Sequence, residues 1–105
     1  MSTRKETIEF IMDKLGNPNR FLARAMFGEY AIYADSKVVA LVCDDLLYVK
    51  IMPASLDLEA VCEKAPPYKG AKNYYLLEEE QLSQIENLPS ILFNLAKSLP
   101  SKKKV

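Results

Sequence analysis

The apolar positions fall into two regimes. Near the N-terminus Ile8, Ile11, Met12 and Leu15 follow the i, i+3, i+4, i+7 spacing that lays one apolar stripe along a helix. Thr3 and Glu6 stand ahead of the stripe in capping-box spacing, and Gly16-Asn17-Pro18 closes it, because Pro18 cannot continue a helix. Phe10 lies off the stripe, free to meet a neighbouring element or a partner. From Phe21 to Ile51 the pattern changes to short apolar runs broken by turn residues, which predicts four hairpin-connected strands: Leu22 to Phe27, Glu29 to Ala34, Val38 to Cys43 and Leu46 to Ile51. Asp35-Ser36-Lys37 and Asp44-Asp45 supply polar turns, the second short enough to demand antiparallel pairing.

The third run, Val38 to Cys43, is apolar on both strand faces and belongs in the middle of a sheet or against an interface. In the fourth, Leu47, Val49 and Ile51 share one face while Leu46, Tyr48 and Lys50 share the other. That second face mixes apolar, aromatic and charged groups, as contact surfaces do.

Beyond the meander, Ser55 is placed to cap a brief helix carrying Leu58, Val61 and Cys62, which Pro66-Pro67 ends. A loop over Pro67 to Lys72 leads to a fifth strand at Tyr74-Tyr75-Leu76-Leu77. A helical turn follows near Glu79 to Ser83, then a final helix capped by Asn87 with Pro89 in its first turn and Ile91, Leu92, Leu95 and Leu99 on its buried face. The expected architecture is α+β, in the order α-β-β-β-β-α-β-α: a five-stranded antiparallel sheet, its first four strands a meander, with helices on one face. Residues 1–100 are expected to form one domain and 101–105 a flexible basic tail.

Composition narrows the functions available. At 105 residues the chain fits one core, and 50% hydrophobic with 27% charged residues is a globular balance. Lys plus Arg equals Asp plus Glu at 14 each, so no net field draws the molecule to nucleic acid or an anionic membrane. Neither a signal peptide nor an apolar run long enough to span a bilayer is present in the sequence, which gives a cytoplasmic expectation with no membrane partner. The runs Glu78 to Glu80 and Lys102 to Lys104 read as solvated surface.

Histidine is absent, which removes Ser-His and Cys-His nucleophile pairs and the commonest metal ligand together. Two isolated cysteines, Cys43 and Cys62, make no structural zinc site and read as core thiols of a reducing compartment. Three glycines form no phosphate-cradling loop, and Asp44-Asp45 reads as turn chemistry rather than as a carboxylate pair for acid-base work. No catalytic residue, metal or cofactor is therefore expected. Six tyrosines allow one other reading, in which Tyr30, Tyr33, Tyr48 and Tyr74 stack bases beside Arg24 and Lys50.

Met26-Phe27-Gly28-Glu29-Tyr30, followed by Ile32-Tyr33, Asp35-Ser36-Lys37, Ala40-Leu41-Val42 and Leu47-Tyr48-Val49-Lys50, resembles the N-terminal domain of the TfoX (Sxy) competence regulators. The likeness runs from about Arg24 through Pro67-Tyr68 and Tyr74-Tyr75 to Leu99, and Arg-x-Met-Phe-Gly is its specific part. Met26 and Phe27 are expected on opposite faces of the sheet, with Gly28 where two strands meet. The resemblance implies a bacterial regulator of gene expression without catalytic activity, on a fold akin to the secretion chaperones. Ser36 departs from the family's usual Asp-Gly-Lys turn, and the chain leaves no room for the second domain of the longer regulators, so a stand-alone domain is expected.

The function expected is a regulatory or adaptor domain that binds a protein partner. Its candidate contact residues are Arg24, Phe27, Tyr30, Tyr48, Lys50 and Tyr68. A homodimer fits the strand apolar on both faces and the open sheet edges. The alternatives are direct DNA binding through Arg20, Arg24, Lys50 and the Lys102 to Lys104 tail, and a small-ligand binder or small enzyme using Tyr68, Lys69 and Lys72.

Overall fold

The computed structural model describes residues 3–100, and the basic tail expected at 101–105 lies outside them. Helix α1 (Lys5–Leu15) buries Ile8, Ile11 and Leu15 of the stripe read from the sequence, with Met12 partly buried against the core. Strands β1 (Phe21–Met26), β2 (Glu29–Ala34), β3 (Lys37–Cys43) and β4 (Leu46–Val49) follow as antiparallel neighbours. A 3₁₀ helix over Pro53–Leu58 leads to β5 (Glu63–Ala65) and β6 (Tyr74–Leu77), and α2 (Glu79–Gln84) and α3 (Leu88–Ser98) complete the order.

The sheet has six strands in the order β1-β2-β3-β4-β6-β5, not the five expected. The extra strand is β5, which pairs with β6 at the edge where a continuing helix had been anticipated. Leu58 and Cys62 do bury, but through a 3₁₀ segment kinked at Ser55 and the turn after it rather than one helical face. Ser55 is not an N-cap there: fully buried, it donates from Oγ to the Lys50 carbonyl at 2.6 Å and accepts the Met52 N–H at 3.0 Å. It thus ties the end of β4 to the 3₁₀ helix.

Cross-strand partners lie on the same face of a sheet, so register sorts the residues. One row runs Ala23, Ile32, Ala40, Val49, Tyr75 and Lys64, and beside it Ala25, Tyr30, Val42, Leu47 and Leu77. Ile32, Ala40, Val42, Leu47, Val49, Tyr75 and Leu77 from these rows join Leu92 and Leu95 of α3 and the α1 stripe in one core. Each fully buried leucine side chain contributes about 1.5–3 kcal/mol through removal from water. At the end of α3 Lys37 Nζ donates to the carbonyls of Ala96 and Leu99, each at 2.9 Å, which satisfies two orphan carbonyls with a cation where the helix dipole favours one.

Three two-residue turns connect the meander. Phe27-Gly28, Asp35-Ser36 and Asp44-Asp45 all have positive φ at both positions, the geometry whose twist matches that of the flanking strands. Gly28, at φ 84, meets that demand without strain, while Phe27 at φ 52 does not. Phe27 is therefore a turn residue, and the expectation that it and Met26 point to opposite sheet faces is corrected: β1 ends at Met26.

Candidate functional site

The face of the sheet away from the core is read by the complementary row: Arg24, Ala31, Leu41, Tyr48, Leu76 and Glu63, one residue from every strand. Strand alternation adds Leu22, Tyr33 and Tyr74 to this face. Among the described residues it carries no helix. Ala31 and Tyr48 are nevertheless buried, at 1% and 7% exposure. Leu41, Tyr33, Tyr74 and Leu76 are half-buried, while Leu22 and Arg24 are exposed.

The predicted contact residues do not form one patch. Arg24 and Tyr48 belong to the open face, and the Arg24 guanidinium lies 5.9 Å from the centre of the Tyr33 ring. Lys50 follows β4 and is half-buried beside Tyr33, Val38 and Pro100. Burial, with the Lys72 ammonium adding to it, holds the Lys50 pKa below the ordinary lysine value. Tyr68 is exposed in the loop after β5, near enough to Tyr74 to raise that phenol's pKa behind the larger effect of burial. Tyr30 sits on the opposite face and packs against the core. Four tyrosines thus do not make one stacking platform: Tyr33, Tyr48 and Tyr74 share a face and Tyr30 does not.

Phe27 stands apart at the tip of the first hairpin, wholly exposed. Sequence reasoning missed the polar clasp behind it. Thr3 is not the cap of α1, a position that Arg4 holds; it is 8% exposed and joins two hairpin tips. Its N–H donates to the Gly28 carbonyl at 3.1 Å and its hydroxyl to Glu29 Oε1 at 2.6 Å, and it accepts the Asp45 N–H at 3.2 Å. Asp45 Oδ1 in turn accepts the Arg4 N–H at 2.9 Å and the Thr7 hydroxyl at 2.8 Å. The helix start is capped from a turn some forty residues away, a link that no local spacing rule could register. These hydrogen bonds hold the Asp45 carboxyl below the usual carboxylate range.

At the other end of the sheet Arg20 Nε donates to Asp35 Oδ1 at 2.8 Å and the guanidinium stacks 3.6 Å from the Phe93 ring centre. The thiols are buried and free, and burial pushes Cys62 up to about 11, against nucleophilic use.

A family model for the TfoX N-terminal domain matches residues 13–93. An uncharacterised 12.7 kDa protein from the trpE 5' region of Spirochaeta aurantia is 32% identical over 103 residues, covering 98% of this chain and 89% of that protein. The match spans the whole meander with Arg24, Phe27 and Gly28, as well as β6 and most of α3. The chain belongs to the TfoX N-terminal domain family.

Proposed function

We propose that the protein is a non-enzymatic regulatory or adaptor domain of bacterial gene expression, acting in the cytoplasm by protein–protein contact through the open face of its sheet. The observation that carries this reading is the row from Arg24 to Glu63, which leaves half-buried Leu41 and Leu76 beside Tyr33 and Lys50 with no helix over them among the described residues. Aromatic and apolar groups with a charged rim are the composition of an interface core. The family supports a regulatory or adaptor role in general, and regulation of competence is one form it takes.

Capture on immobilised protein should recover a defined protein with the wild type and lose it with the Tyr33→Ser, Lys50→Glu double variant. Recovery of the same protein by both would overturn the assignment to this face.

The second reading is direct DNA contact, favoured by Lys72 lying near enough to Lys50 to lower its pKa, with Arg24 on the same open face and the Lys102 to Lys104 run in the sequence. It requires affinity that falls steeply with salt. A gel shift at low ionic strength with no retarded band would eliminate it.

A further inference from the structure

β1 is an edge strand whose one charged side chain is Arg24. Its register with β2 is unbroken from Phe21↔Ala34 to Met26↔Glu29, and it contains neither proline nor lysine. The opposite edge, β5, is three residues long and displays exposed Glu63 and Lys64.

A two-residue hairpin closes with Met26 and Glu29 as a hydrogen-bonded pair. Bonding then alternates along β1, and the 3.0 Å bond from the Asp35 N–H to the Arg20 carbonyl fits that phase. Leu22, Arg24 and Met26 turn their amides towards β2, whereas Ala23 and Ala25 turn N–H and C=O outward. The Phe21 carbonyl also faces out, while its N–H donates to the Asn17 carbonyl at 3.0 Å.

We propose that this edge is completed by the same edge of a second copy, antiparallel and centred on Ala23, with Phe27 of each copy seated at the start of β1 of the other. In this register Ala23 exchanges both backbone hydrogen bonds with its counterpart, and the Ala25 N–H meets the Phe21 carbonyl of the second copy. Leu22 faces Arg24. A register centred on Arg24 would oppose two guanidinium-bearing side chains at the closer, non-hydrogen-bonded spacing, so charge favours Ala23 over it.

The same register sets Met26 opposite Arg20 of the second copy, roughly 10 Å from the axis at strand rise, and brings the hairpin tip that carries Phe27 alongside the turn that precedes the other β1. Beside that turn Met12, Gly16, Pro18 and Phe21, with Asp13 at the rim, line a hollow of about 280 Å³. A two-fold interface must carry knob and hole on the same surface, and β1 has one at each end. This pairing also accounts for Phe27. Phenylalanine has no local hydrogen bond to favour positive φ, and at 100% exposure no burial within the chain offsets the strain.

Sedimentation equilibrium across the micromolar range tests the pairing on the full chain. The wild type should show a reversible species of twice the 11.9 kDa chain mass. Phe27→Asn suits positive φ, and Ala25→Pro removes an outward N–H at an edge position where proline is tolerated; each should raise the dimer dissociation constant about tenfold or more while the protein stays folded. A wild type that sediments only as the 11.9 kDa chain, with its edge left to another occupant, overturns the proposal, as does a Phe27→Asn protein that dimerises as tightly as the wild type.

Discussion

Asp45 accepts hydrogen bonds from a backbone amide and a hydroxyl of α1 while itself holding a left-handed turn position, at φ 66. Its folded pKa is depressed, so the stability it contributes is complete above the unfolded value of about 3.9 and is lost as pH falls through the lower, folded value. Asp45→Ala should therefore lower the melting temperature at neutral pH and flatten the acid limb of a stability–pH curve, which thermal melts at stepped pH will read. Ser36 holds φ 74, a left-handed position that strains a residue with a Cβ. Ser36→Gly should raise stability by roughly 1 kcal/mol in urea unfolding. With its pKa near 11, Cys62 should stay unreactive to a thiol reagent at pH 8 until the chain unfolds. The turn role of Asp44-Asp45 was legible because Asp favours turns for local reasons. The capping role was not, since it joins residues that only the folded sheet brings together.

The elements that the sequence announced are those whose periodicity is long enough to average out exceptions. The α1 stripe, the meander and α3 each offer several apolar positions in phase, and β2 and β6 begin and end as read. β5 offers three residues, Glu63, Lys64 and Ala65, with no apolar alternation, and it is a strand because β6 provides an unpaired edge. Lys64 then faces Glu59 at 2.8 Å, and the Tyr75 hydroxyl donates to the same carboxylate at 2.9 Å. Thr3 shows the converse failure: capping-box spacing was present, but a buried link to Glu29 and Asp45 took the side chain elsewhere. If α3 is held by its buried face, Leu95→Ala should cost about 2–5 kcal/mol by loss of transfer energy and creation of a cavity, as measured by denaturant midpoints.

At the scale of the whole molecule, the helices and their core occupy one side of the sheet and the row from Arg24 to Glu63 the other. Pairing two β1 edges about an axis perpendicular to the sheet would set two such open faces side by side as one continuous surface, while leaving each face uncovered. Of the candidate site, the Tyr48 and Lys50 face was legible from strand alternation, whereas the separation of Tyr30 and Phe27 from it needed the turns and the register. The central claim is that the open face meets a protein. A photo-crosslinking residue placed at Tyr33 on that face, and in a separate variant at exposed Asn94 on α3, tests it most directly in growing bacteria. The account predicts one defined heterologous adduct from position 33 and none from position 94; no adduct from 33, or the same adducts from both, would contradict it.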